Sequence, residues 1–223
     1  MRRSPRVLWV ENQVRSRYQG TRILDVGFVG SYKDPFLHLG IRQCNPRLVG
    51  IDIDKEGVLK WRLPDTLVGD GKKLPFRDNS FDVILCLEVL EHLYDPFCLF
   101  VETYRVLKPQ GELLITTPNA YGWWNFLRNW MVGSSRTRTR REVYRRYLGD
   151  KDHKCFYDPL SLMNLLDDAG FETKVIATKN HAIPFVRRVS SLFDLLDWQF
   201  YPMNRLGHYL CLIATKAHQP KLS

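Results

Sequence analysis

The stretch Thr21-Arg-Ile-Leu-Asp-Val-Gly-Phe-Val-Gly-Ser31 reads as a buried strand running into a tight turn and a helix N-terminus. Ile23, Leu24 and Val26 form a short apolar run that Asp25 interrupts. Gly27 and Gly30 then allow the turn, and they let a ligand approach the backbone where a Cβ would obstruct it.

The same grammar repeats outward from this stretch. Arg47-Leu-Val-Gly-Ile-Asp52 and Thr66-Leu-Val-Gly-Asp70 are further apolar strands ending in an acid. Phe81-Asp-Val-Ile-Leu-Cys86 is a near-continuous apolar run, the pattern of a strand buried on both faces. Gly111–Thr117 is a fifth strand, and Phe171–Thr178 and Tyr209–Thr215 read as closing strands. Helices are predicted over residues 32–40, 54–61 and 158–169. Another starts at Asp95-Pro96 and is stopped by Pro109-Gln-Gly111. Residues 1–20 read as an arm with one amphipathic helix, 119–157 as an insertion, and 183–206 as a helical cover, all within one domain spanning 1–223. Strands alternating with helices imply a parallel sheet covered on both faces, with ligands bound beyond the strands' carboxyl ends. Asp25, Asp52, Asp70 and Glu88 all fall at or just past those ends.

Taken together, Leu24-Asp-Val-Gly27, Val49-Gly-Ile-Asp52, Gly69-Asp70, Leu74-Pro-Phe76, Asn79-Ser-Phe-Asp82, Glu88-Val-Leu-Glu-His92 and Val106-Leu-Lys-Pro-Gln-Gly111 resemble the class I S-adenosylmethionine-dependent methyltransferases. The resemblance covers about residues 21–178 and implies a Rossmann-like α/β fold with a mostly parallel seven-stranded sheet. It implies S-adenosyl-L-methionine as cofactor. Asp25, Gly27, Phe28 and Gly30 would hold its methionyl part, and Asp52 with Ile53 its ribose. Gly69, Asp70 and Gly71 would contact its adenine, and Leu87 and Glu88 would border its methionyl amine and the acceptor. The chain departs from the family's Asp-x-Gly-x-Gly-x-Gly loop, because Val29 and Ser31 replace its second and third glycines.

Methyl transfer needs a nucleophile held near the methyl group and a group to take its proton. His92, His153 and Glu88 are the candidate catalytic residues. Glu88, Glu91 and His92 are spaced i, i+3, i+4 and would share one face of a helical turn. With His153 they are candidate ligands for a divalent metal, Mg²⁺ or Mn²⁺. The pattern resembles quinone-biosynthesis O-methyltransferases and the 2′-O-methyltransferases of small-RNA 3′ ends. The alternative reading has one glutamate lining the cofactor pocket, the others on a helix surface, and His92 or His153 as a lone base.

On the acceptor side, Asn119, Tyr121, Trp123 and Trp124 are the candidate substrate contacts. Residues 136–146 then hold six arginines, which suit phosphate, nucleic-acid backbone or anionic lipid. The net charge of +9 also favours anionic partners. The leading expectation is O-methylation of a small or lipid-linked molecule, glycan or quinone-like, with RNA ribose methylation as the alternative. A non-catalytic S-adenosylmethionine-binding protein is a third reading, motivated by the altered glycine loop. With 44% hydrophobic residues and five scattered cysteines without a CxxC pair, the chain reads as globular and cytoplasmic, with peripheral membrane contact left open. Nothing approaches a membrane-spanning segment, which argues against integral-membrane function classes.

Overall fold

Apolar runs with a two-residue alternation become strands here because both faces of the sheet are covered. A computed structural model describes residues 4–30, 35–122, 153–179 and 207–221. The strands are β1 (Ile23–Val26), β2 (Leu48–Asp52), β3 (Thr66–Val68), β4 (Phe81–Leu87), β5 (Leu107–Pro118), β6 (Phe171–Lys179) and β7 (Tyr209–Lys216). They form one sheet in the order β3-β2-β1-β4-β5-β7-β6. β1 pairs in parallel with β2 and β4, β2 with β3, and β4 with β5. β7 runs antiparallel to both β5 and β6. This is the Rossmann-like class I fold that the motifs imply.

The helices are α1 (Pro5–Arg17), α2 (Phe36–Cys44), α3 (Lys55–Trp61), α4 (Phe97–Val106) and α5 (Pro159–Asp168). Local chemistry sets their starts. Ser4 Oγ accepts from Val7 N ahead of Pro5, and Asp158 accepts from Leu160 N and Ser161 N ahead of Pro159. Asp95 Oδ1 accepts from Phe97 N at 3.0 Å, as its place before Pro96 predicts.

α2 differs from expectation. It spans Phe36–Cys44 rather than 32–40, with Pro35 at its start and Gly40 buried inside it. A mid-helix glycine costs about 1 kcal/mol relative to alanine, and packing against the sheet outweighs that. Asn45 ends the helix instead, its side-chain amide donating to Tyr18 O and Thr21 O.

Alternation along the strands sorts the core into two layers. Leu24, Val26, Ile84 and Cys86 face Leu99, Phe100, Leu162 and Leu166 of α4 and α5. Ile23, Val83, Leu85 and Leu87 face Val10 and Val14 of α1 and Ile41 of α2. α1 is tied down at its far end by Arg17, whose guanidinium donates to Glu112 Oε1 at 2.8 Å midway along β5. The aromatic segment after Gly122, the arginine run at 136–146 and the expected cover at 183–206 lie outside the described residues. Among the described residues, no helix is long and apolar enough to cross a membrane.

Candidate active site

The carboxyl ends of β1, β2 and β4 open on a cleft of about 380 Å³. One wall is the turn after β1. Gly27 adopts φ +79°, and a Cβ there would lie 2.6 Å from Val89 Cγ2. Gly30 N donates to Gly27 O at 3.2 Å to close the turn. Gly30 has φ +66°, and a Cβ there would point into open space, leaving room for a ligand against the backbone.

Val29 explains how the loop departs from the family's glycine pattern. Its side chain is fully buried with Phe28 and Val58, beneath α3, and does not enter the cleft. Its amide donates to Asp52 Oδ2 at 2.8 Å, while Asp54 N donates to Oδ1 at 2.8 Å. Each carboxylate oxygen keeps a second lone pair, so Asp52 can organise the turn and still accept hydroxyls from a ligand.

Ile53, 71% exposed, stands beside Asp52 on the cleft wall. Gly69, Asp70 and Gly71 form the opposite lip, with Asp70 Oδ1 accepting from Lys72 N at 2.9 Å. The loop that follows is pinned by Arg105, which donates to Leu74 O and Phe76 O and pairs with Glu102 at 2.8 Å. Glu88, Val89 and His92 complete the cleft at the end of β4.

Three expected cofactor contacts lie elsewhere. Asp25 is buried within β1 and does not line the cleft. Strand alternation turns it toward α2, where its Oδ2 is hydrogen-bonded to His38 Nδ1 at 2.8 Å. Burial pushes its carboxyl up, against the pull of His38. Phe28 packs on the His38 ring, centroids 4.7 Å apart, below the turn. Leu87 points into the layer shared with α1. Lys72, Val89, Leu93 and Leu99 line the cleft without having been expected to. Val89 lies inside the Glu88–His92 motif, and Lys72 and Leu93 are chain neighbours of expected site residues; Leu99 carries no such signal.

The acid–histidine cluster is also rearranged. Glu88 takes φ +58°, so the chain leaves β4 in a left-handed bend rather than a helix. Only Leu90–His92 form a 3₁₀ turn, and the i, i+3, i+4 face is lost. Among the described residues, Glu91, His92 and His153 come together without Glu88, with ligand atoms within 4.8 Å of one another. Glu91 is 1% exposed, and its Oε2 accepts from Thr117 Oγ1 at 3.0 Å. Its Oε1 has no hydrogen-bond partner and lies 4.0 Å from His153 Nε2. Burial, then the negative charge of Glu88, pushes the Glu91 carboxyl up to about 8. The His92 and His153 rings meet edge to face at 4.9 Å. The turn holds the later loop through Glu91 O, which accepts from Lys154 N at 2.6 Å.

Asn119 is not available to an acceptor. It is fully buried, its amide donates to Gly207 O at 2.8 Å, and its Oδ1 accepts from Tyr121 N. It also bridges to Tyr157, so the residues flanking 123–152 and the one that follows 206 meet around it. Tyr121 is 59% exposed and does not line the cleft, whereas Trp123 and Trp124 lie outside the described residues.

Fold and cleft define an α/β protein of the Rossmann-like kind with an acid-rimmed site at the strand ends. Residues 24–115 match the family model described as a methyltransferase domain. The chain is 39% identical over 114 residues to the "Probable S-adenosylmethionine-dependent methyltransferase" of Mycolicibacterium smegmatis, covering 49% of this chain and 43% of that protein. It is 30% identical over 127 residues to the ubiquinone biosynthesis O-methyltransferase of Dechloromonas aromatica, covering 51% and 50%. The chain thus spans about half the length of the curated relatives it matches. Among solved structures, an S-adenosylmethionine-dependent methyltransferase from Mesorhizobium loti superposes with a TM-score of 0.62 at 17% identity, covering 94% of this chain and 97% of the other. That identity speaks to the fold alone. The domain match and the relatives support an S-adenosylmethionine-dependent methyltransferase domain over residues 24–115, and the residues that line the cleft all lie within it.

Proposed function

We propose that the protein transfers the methyl group of S-adenosylmethionine to a hydroxyl of a small or lipid-linked molecule, quinone-like or glycan. One observation carries the reading: His92 belongs both to the cofactor cleft and to the Glu91–His92–His153 cluster. Asp52 would take the ribose hydroxyls on its remaining lone pairs, and Asp70 the adenine side. Glu88 would face the cationic methionyl end.

The cluster fits a divalent cation, since Glu91 Oε1 is a buried acceptor lacking a donor and two imidazoles stand beside it. Such a cation supplies Lewis-acid activation of an acceptor hydroxyl. One carboxylate and two imidazoles favour Mn²⁺ or a later transition metal over Mg²⁺, which prefers all-oxygen sites. Without a cation, His92 or His153 would instead serve as the base that takes the acceptor's proton. The relative acting in ubiquinone biosynthesis supports an O-methyl acceptor of quinone type.

The test is calorimetric binding of S-adenosylhomocysteine and of Mn²⁺ to wild type, Glu91→Gln and His153→Ala. A catechol, diol, glycan and RNA 3′-end acceptor screen at two salt concentrations follows. Homocysteine-cofactor binding in all three proteins and Mn²⁺ binding in wild type alone are expected. An RNA acceptor would show a steep loss of rate with salt. Absence of S-adenosylhomocysteine binding in wild type refutes the enzymatic reading; absence of stoichiometric metal refutes the metal-assisted one.

A further inference from the structure

Arg6 stands in the first turn of α1, far in sequence from every residue of the cleft. α1 lies along β5 in the opposite direction: Arg17 reaches Glu112 midway along the strand, and Arg6 reaches Thr116 near its end. There Arg6 Nη1 lies 3.4 Å from Thr116 Oγ1 and 3.6 Å from Glu88 Oε1. The guanidinium also lies over the Tyr209 ring, 5.2 Å from its centroid. Its side chain is 19% exposed, and its Nε is buried without a hydrogen-bond partner.

Helix docking alone does not call for this arrangement. Val10 and Val14 already bury α1 against the sheet, and the Arg17–Glu112 pair already clamps it. Desolvating a guanidinium and leaving Nε unpaired both cost free energy. At the same point Glu88 adopts φ +58°, a conformation that is costly for a side chain with a Cβ. Two unfavourable features meeting at a cleft-lining acid are a mark of function rather than of packing. Thr116 completes the unit. Its backbone oxygen accepts from Glu88 N at 2.8 Å, and its hydroxyl donates to Glu88 Oε1 at 3.0 Å.

We propose that Arg6 is a positioning residue for the cofactor: from α1 it fixes the Glu88 carboxylate at the rim of the cleft. The N-terminal helix is thereby a working part of the S-adenosylmethionine site and not only a cover for the sheet. The proposal rests on the reading of the cleft as that site. Arg6 touches no ligand itself; it acts through Glu88, with Thr116 and Tyr209 limiting where the guanidinium can sit. Lysine would keep the charge, while glutamine would keep only part of the volume.

The experiment measures S-adenosylhomocysteine affinity and Tm for wild type, Arg6→Gln, Arg6→Lys, Glu88→Gln and the Arg6→Gln/Glu88→Gln double variant. Arg6→Gln should weaken binding about tenfold, and Arg6→Lys should restore it to within about threefold of wild type. In the Glu88→Gln background, Arg6→Gln should have no further effect, because its only route to the ligand is gone. A lowered Tm with unchanged affinity, or additive effects of the two substitutions, would overturn the proposal. If Arg6→Gln does not fold, Arg6→Lys decides: affinity reduced as far as in Glu88→Gln overturns it. Wild type failing to bind would instead remove the reading of the cleft on which the proposal stands.

Discussion

Replacing Glu91 by glutamine in metal-free protein should change how stability depends on pH. The folded protein holds the Glu91 proton up to about pH 8, whereas an exposed glutamate releases it near 4.5. Between those values the folded state binds more proton than the unfolded chain, so stability falls as pH rises through the window. At 1.36 kcal/mol per unit, the whole window corresponds to an upper bound of about 5 kcal/mol. Below pH 4.5 the residue contributes nothing of this kind, and above 8 its full penalty is present. Glutamine cannot ionise, yet it keeps an oxygen for the Thr117 hydroxyl. Urea unfolding in chelator at pH 5, 6, 7 and 8 reads the effect. The stability of Glu91→Gln relative to wild type should grow by several kcal/mol across that series. Titrating groups away from the Glu91 cluster are common to both proteins and cancel in the difference. Curves that stay parallel to within about 0.5 kcal/mol would refute the assignment of a buried, proton-holding Glu91.

Asp52→Asn replaces one acceptor with an amino group that confronts a backbone N–H, either of Val29 or of Asp54. It should lower unfolding free energy by about 1–3 kcal/mol in urea titration, and weaken S-adenosylhomocysteine binding at least tenfold by about the same reasoning. Val29→Gly restores a family-like glycine but removes a fully buried side chain. It should cost about 2–4 kcal/mol of stability while leaving cofactor affinity within about twofold. Binding tightened tenfold or more would mean that Val29 obstructs the cleft.

The parallel strands were legible because each apolar run ends in an acid or a turn, and β1, β2 and β4 appear where those runs lie. Linear order misled at Asp25, since nearness to a strand end does not say which face a side chain takes. The alternation that buries Ile23 toward α1 and α2 carries Asp25 to His38 as well. The helical spacing of Glu88, Glu91 and His92 failed for a different reason. A positive φ at Glu88 is a tertiary event, held by Thr116 and Arg6, and no local pattern in Glu88-Val-Leu-Glu-His92 encodes it. His153 was found by residue type alone and joins Glu91 through the Glu91 O–Lys154 N bond. Asn119 looked like a contact and proved to be a joint, because its amide is spent on Gly207 and its oxygen on Tyr121.

That joint also marks a division in the chain. The match to the methyltransferase domain stops at Ile115, by which point the chain has supplied the cleft's glycine turn and its acids. Beyond it, Asn119, Tyr157 and Gly207 are stitched together by backbone and amide bonds. The described residues on either side of 123–152, and Gly207, are thus gathered at one point beyond the end of β5. The half that matches the domain thus holds the whole lining of the cleft, and Asn119 gathers the chain that comes after it.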